Sequence, residues 1–282
     1  MKPVLRAQIF AASPPPLGGV ASIVSMLKDS LASHAELGFS SPLPKRDGFF
    51  KVIRPIVNLF LLTHSLFQVQ WGGRILFFSS SGISFFEKLV WAWLVNFCGR
   101  QAVVVMVDGN FPAYWSRLPR LFKQIATALL KQSNLTLGVQ SEEWGFYYHS
   151  IFGSVGFHVV GATVASDFFF ASPWQDLSSF PTILYIGWIT HSKGIGDLIR
   201  AFSQIAADYP GSTLRLIGPL FDQLHVWQNL ASSLGILNQI EFVGPVFVRH
   251  QLITELQNAT LFVLPSHAEG LPVVLLEAMT LG

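Results

Sequence analysis

Cysteine is nearly absent: Cys98 is the only one in 282 residues. No internal disulfide and no cysteine-based metal site can form, so a reducing, cytoplasmic setting is expected. Charge is scarce as well. Charged residues make up 12% of the chain, where about 25% is usual. The 18 basic and 16 acidic residues nearly balance, and the basic ones are dispersed. That excludes the concentrated basic footprint of a nucleic-acid binder. Spanning apolar runs are missing too. The best candidate, 55–69 (PIVNLFLLTHSLFQV), carries Asn58, His64 and Gln68 and is shorter than the ~20 residues that cross a bilayer. It reads as a buried helix or, with Lys51 and Arg54 beside it, as one lying on a membrane surface. Lys2 and Arg6 precede no sustained apolar stretch before Pro14, so no secretory leader is expected. The histidines lack metal-ligand spacing and no Asp-x-Asp occurs, so no bound metal is expected.

What the chain does have is apolar mass, at 51% hydrophobic residues. Much of it lies in short runs: 74–78 (RILFF), 102–107 (AVVVMV), 136–139 (TLGV), 182–187 (TILYIG), 213–218 (TLRLIG), 240–244 (IEFVG) and 259–265 (ATLFVLP). Such near-continuous runs predict strands buried on both faces of parallel sheets. Between them lie amphipathic stretches. Ile195, Leu198, Ile199 and Phe202 recur at helical spacing, as do Val20, Ile23, Val24, Leu27 and Leu31. The expectation is an α/β protein with two Rossmann-like parallel-sheet domains. A Pro- and Ser-bearing break at 167–181 (DFFFASPWQDLSSFP) separates the two strand series. It sets the domains at 1–170 and 171–282. The second has only four expected strands and stops one helix after the last, so it is expected to be incomplete.

Several loops at expected strand ends carry residues suited to a ligand. Pro14-Pro15-Pro16-Leu17-Gly18-Gly19 leads into the first amphipathic stretch. Gly18 and Gly19 would let a ligand approach the backbone at a helix N-terminus. Gly187-Trp188-Ile189-Thr190-His191-Ser192-Lys193-Gly194 opens the next helix, with Lys193 placed for phosphate oxygens. Its ordinary reading is a solvated lysine, but a cation near a helix start is explained better by an anionic ligand. Gly244 ends another strand, where backbone groups of a following loop can read a base. Asp108-Gly109 reads either as a common turn or as a strand-end acid facing the site.

The most informative stretch is Ser266-His267-Ala268-Glu269-Gly270-Leu271-Pro272 to Glu277-Ala278-Met279. A helix is expected to begin at Pro272. The N–H groups of Gly270, Leu271 and Val273 suit phosphate or sugar oxygens, and Glu269 suits sugar hydroxyls. Glu277 sits mid-helix among apolar neighbours, a costly place for a carboxylate without partners. A ribose diol would supply two donors.

These residues resemble the E-x7-E signature of retaining nucleotide-sugar glycosyltransferases of family 4, also called group 1, with the GT-B fold. Pro16-Leu17-Gly18-Gly19-Val20 is similar to the family's N-terminal glycine loop. Ser141-Glu142-Glu143-Trp144 resembles its serine-led helix, and Val159-Val160-Gly161-Ala162-Thr163 to Phe168 the stretch leaving its first domain. Gly187, Lys193 and Gly194 resemble its diphosphate loop. The resemblance implies two domains facing a cleft, with Lys193 on the diphosphate, Glu269 on the transferred sugar and Glu277 on the ribose. It implies metal-independent, retaining transfer from a nucleoside-diphosphate sugar to a saccharide or lipid-linked acceptor. The apolar N-terminal domain adds an expectation of peripheral contact at the inner membrane face. Trp188 stands where the family has an arginine, so a positive charge is missing unless Arg249 or Arg215 supplies it. Asp108 stands where the family often has a histidine, and Thr163 where an asparagine precedes glycine. These departures also fit a non-catalytic relative that binds a sugar nucleotide or a partner protein. A sugar-nucleotide epimerase or a phosphorylase of the same fold is a further alternative.

Overall fold

The computed structural model describes residues 5–10, 23–24, 35–40, 74–132, 135–153, 155–172 and 180–282. The chain divides into two compact units, 1–163 and 164–282. The expected glycine loop at 14–19 and the apolar stretch 55–69 lie outside the described residues. Of the first amphipathic stretch, Ile23 and Val24 are helical and buried.

The first unit is built on a parallel sheet of β1 (Leu5–Phe10), β2 (Ala35–Ser40), β3 (Arg74–Ser79), β4 (Gln101–Met106), β5 (Thr136–Val139) and β6 (Phe157–Val159). Their order is β2-β1-β3-β4-β5-β6. The helices are α1 (Ile83–Phe97), α2 (Phe111–Arg117), α3 (Arg120–Gln132) and α4 (Glu142–Phe152). Ile75, Phe77, Val104 and Leu137 from the strands pack with Phe85, Leu89 and Ala92 of α1 and Phe152 of α4. Ser141 caps α4 by accepting a hydrogen bond from the Trp144 N–H, and Glu142 and Glu143 lie in the first turn. Negative charge there matches the positive end of the helix dipole.

The second unit begins with the short α5 (Ser166–Phe170) and continues with β7 (Thr182–Ile186), α6 (Ile195–Ile205), β8 (Thr213–Ile217), α7 (Leu224–Ser233), β9 (Ile240–Gly244), α8 (Arg249–Gln257), β10 (Leu261–Phe262) and α9 (Val273–Leu281). Its sheet is also parallel, in the order β10-β7-β8-β9. Ile195, Leu198, Ile199 and Phe202 of α6 are all buried against this sheet, as their spacing predicts. The division at 163/164 lies ahead of the expected 170/171, because α5 packs on α9 and so belongs to the second unit. Strand β10 is much shorter than the apolar run 259–265. Among the described residues it lies at the sheet edge and pairs with β7 alone. The pairing ends after the Val263 N–H reaches Leu184 O at 2.9 Å, and Pro265 has no N–H to extend it.

Candidate functional site

The loops leaving β7, β8 and β9 start side by side. The Gly187 N–H donates to Ile217 O and the Gly218 N–H to Gly244 O, each at 2.9 Å. Gly218 has φ +143°, and a Cβ there would come within 1.8 Å of Gly187 O. Only glycine lets the two loops approach so closely. Beneath them Tyr185 is fully buried, and its hydroxyl donates to Trp188 O at 2.8 Å. Burial, with the Glu269 charge as a lesser cause, pushes that hydroxyl well above its ordinary pKa, so it stays a donor.

After Ile189 the chain makes a single 3-10 turn, His191–Lys193, closed by Gly194 in the left-handed region at φ +71°. A Cβ at Gly194 would stand 2.1 Å from Pro265 O. This close approach brings the turn against the loop that follows β10. The His267 N–H donates to Ser192 O at 3.2 Å, and His267 Nε2 lies 2.9 Å from Asp197 Oδ2 on α6. Between these ties the Lys193 ammonium meets Glu269 Oε1 at 2.6 Å, with both side chains about a quarter exposed. The turn is anchored on its other side by Asp222, which takes the His191 N–H at 2.8 Å and lies 2.9 Å from His191 Nδ1. Desolvation works against the Asp222 carboxylate, but hydrogen bonds from His191 and Thr190 outweigh it and hold the group below its ordinary pKa.

Beyond Glu269, Pro272 adopts an extended ψ of 106° and α9 starts at Val273. The helix therefore begins one residue later than expected, with Pro272 as the flanking residue. Its first N–H groups have no carbonyl a turn earlier to bond and mark the positive end of the helix. Glu277 lies midway along α9. Burial pushes its carboxyl up to about 7, and the Arg249 charge works in the opposite direction. Arg249 also holds Asp167 of α5 at 3.0 Å.

The structure thus joins Lys193 to Glu269 and sets Glu277 under the influence of Arg249. Gly187 lies under the loop, where a Cβ would meet the Tyr185 hydroxyl at 2.6 Å. Gly244 ends β9 at φ +83°, and Gly270 and Leu271 are half-buried in the loop before α9. Asp108 belongs to the first unit. Its carboxylate accepts the Ser81 and Asn110 N–H groups, each at 2.8 Å, which is the turn role. Gly18 and Gly19 lie outside the described residues. Arg215 does not supply the missing cation. Its guanidinium is taken by Glu255 at 2.9 and 3.1 Å and by Glu241, its register partner on β9. Trp188 instead stacks on Phe221, ring centroids 4.3 Å apart.

Sequence reasoning missed Tyr185, Asp197 and Asp222. Tyr185 reads as one more apolar strand residue, and the two acids as solvated charges. Among the described residues, no three His, Cys, Asp or Glu side chains gather as a metal-ligand group, and no helix is long and apolar enough to cross a membrane.

Residues 173–282 match the family described as glycosyl transferases group 1. An uncharacterized glycosyltransferase of Haemophilus influenzae is 30% identical over 101 residues, covering 36% of this chain and 28% of that protein. A glycogen synthase of Mycobacterium tuberculosis is 33% identical over 106 residues, covering 36% of this chain and 24% of that protein. The chain thus spans less than a third of the length of these relatives. Among solved structures, Anabaena Alr3699/HepE, crystallised with UDP and glucose, superposes with a TM-score of 0.71 at 15% identity, covering 98% of this chain and 78% of that one. The two parallel α/β units are those of the GT-B fold.

Proposed function

We propose that the chain is a retaining, metal-independent glycosyltransferase that moves a sugar from a nucleoside diphosphate to a saccharide or lipid-linked acceptor. The observation that carries this reading is the Lys193–Glu269 pair. It puts one cation and one anion within hydrogen-bond reach beside the N-terminal end of α9. A donor bound there presents its diphosphate to Lys193 and the α9 N–H groups. Its sugar hydroxyls turn to Glu269 and its ribose diol to Glu277. The bond from the anomeric carbon to the diphosphate oxygen breaks, and an acceptor hydroxyl oxygen bonds to the same face of the sugar. The acceptor proton leaves with the nucleoside diphosphate. Lys193 and the helix end stabilise the negative charge that grows on the leaving oxygen, an electrostatic role that needs no metal. Gly187, Gly244, Gly270 and Leu271 line the donor with backbone, and Gly18 and Gly19 are assigned the same role by resemblance. Asp108 keeps a lone pair on each oxygen for a sugar hydroxyl after its two backbone bonds.

The relatives that match about a third of the chain are a glycosyltransferase and a glycogen synthase, and the family match falls in the second unit, which supports the reaction class. The assay is donor hydrolysis and transfer, comparing the wild type with Glu269→Ala and Lys193→Ala. A fall in turnover of about 100-fold or more is expected for each. Turnover unchanged by both substitutions would sink the site assignment. A second reading, a non-catalytic sugar-nucleotide binder, is favoured by the Trp188–Phe221 stack that stands where an arginine is expected. It predicts nucleotide binding without turnover in the wild type.

A further inference from the structure

The loops leaving β7 and β8 hold a pair of aromatic rings that the donor site does not use. Trp188 stacks on Phe221, with ring centroids 4.3 Å apart and planes 17° from parallel. Yet Trp188 is 39% exposed and Phe221 62%, with Leu220 beside them at 42%. The backbone clamps both rings. Ile189 bridges to Leu220, its N–H donates to Pro219 O at 3.0 Å, and the Phe221 N–H donates to Ile189 O at 3.2 Å. The Tyr185 hydroxyl holds Trp188 O at 2.8 Å. Single exposed apolar residues are ordinary. A clamped, exposed aromatic pair at the carboxyl ends of parallel strands is different, because that is where open α/β sheets take their ligands.

The chemistry of the two loops narrows the ligand. No lysine or arginine occurs at 177–192 or at 216–221, so neither loop offers a cation to a phosphate ahead of Lys193. Topology turns the nucleoside away as well. From β7 through β8 to β9 the chain steps across the sheet in one direction, and α8 returns it to β10 in the other. Right-handed crossovers therefore put α6 and α7 on one face of the sheet and α8 on the opposite one, where α8 packs with α9. Glu277, assigned to the ribose, sits on α9, whereas Trp188 and Phe221 lead into α6 and α7. The aromatic pair also has a polar edge. One residue past Phe221, Asp222 lies 2.9 Å from Nδ1 of the exposed His191. An ionised carboxylate only accepts, so Nδ1 carries the proton, and Nε2 of the neutral ring is an acceptor.

We infer that Trp188 and Phe221 form an acceptor subsite that holds one pyranose ring of a saccharide. A pyranose has a face of C–H bonds and a rim of hydroxyls. The face lies on the exposed aromatic surface, and a rim hydroxyl donates to His191 Nε2. Because the rings are already fixed, binding orders little. A nucleobase would also stack, but the ribose assignment puts the base on the side of α8 and α9. A lipid chain fits less well, since two stacked rings with a polar edge enclose no apolar groove. Calling the saccharide an acceptor rests on the proposed transfer reaction. Trp188, at the place of the family's arginine, then serves the acceptor instead of the phosphates.

The test is saturation-transfer NMR on the 282-residue chain. The probes are methyl pyranosides and linear trisaccharides of glucose, galactose, mannose and N-acetylglucosamine, alone and with UDP, ADP or GDP. At least one saccharide should receive saturation most strongly at the C–H protons of one ring face. Phe221→Leu keeps apolar bulk and removes the ring. It should weaken that saccharide by about threefold to tenfold, and Phe221→Tyr should restore it. Phe170→Leu, which removes an exposed aromatic ring of α5, should leave saccharide binding as it is. Phe221 is exposed, so its variants should melt as the wild type does. Calorimetric titration should give Phe221→Leu the wild-type affinity for the nucleoside diphosphate. Saccharide binding unchanged in Phe221→Leu, or no saccharide bound by a wild type that binds a nucleoside diphosphate, would overturn the inference. Nucleotide affinity lost in Phe221→Leu would overturn it in favour of the base. A wild type that binds saccharide through Phe221 but no nucleotide would contradict the donor site and the acceptor role with it, and leave the saccharide subsite standing.

Discussion

Glu277 shows how one side chain can report on a site. Its folded pKa of about 7 lies above the ordinary 4.5. Between those two values the folded chain holds a proton that the unfolded chain has lost. Stability therefore falls as pH rises through this window, and the full cost is present above it. Glu277→Gln should remove that dependence. At pH 8 the variant should be more stable than the wild type by on the order of 2 kcal/mol, and at pH 4.5 no more stable. Thermal melting at the two values checks this. A ribose diol donates to the carboxylate, so nucleoside-diphosphate binding should tighten as pH rises through about 7, beyond the change seen in Glu277→Gln, which corrects for titration of the phosphate itself. Arg249 is the opposing charge. Arg249→Ala should move the binding midpoint to higher pH, as followed by calorimetric titration. The residue types of this site were legible in the sequence: an acid in an apolar helix, a lysine before a helix, a glutamate after an edge strand. Their mutual positions were not. Lys193 and Glu269 are 76 residues apart, and no local pattern encodes a meeting over that distance.

The elements decide that meeting. The turn at 191–193 and the loop at 265–269 approach so closely that a single methyl group would part them. Gly194→Ala should therefore cost about 1–3 kcal/mol through its positive φ and the clash with Pro265 O. It should also weaken donor binding, since the shift separates Lys193 from Glu269. Denaturant unfolding and nucleotide titration read the two effects separately. The central strands were legible because burial on both faces leaves continuous apolar runs, as in β4 and β7. Strand β1 was not, because Arg6 and Gln8 interrupt its apolar residues. The three-residue edge strand β6 was too short to stand out. The run 259–265 overstated β10, because an apolar run marks burial and Pro265 decides where pairing ends.

At the scale of the whole molecule, the two parallel sheets follow from composition and alternation, and the boundary moved by the few residues that carry α5 into the second unit. The central claim is that the second unit holds a sugar nucleotide between Lys193 and Glu269. Calorimetric titration with a panel of nucleoside diphosphates and their sugar conjugates, on the wild type, Lys193→Ala and Glu269→Ala, tests it most directly. Lys193→Ala is predicted to weaken both ligand types by tenfold or more, a loss of about 1.4 kcal/mol at least. Glu269→Ala is predicted to bind the free diphosphate as the wild type does and to lose the extra affinity for the conjugated sugar. Unchanged binding in both variants, or no binding of any nucleotide by the wild type, would contradict the account.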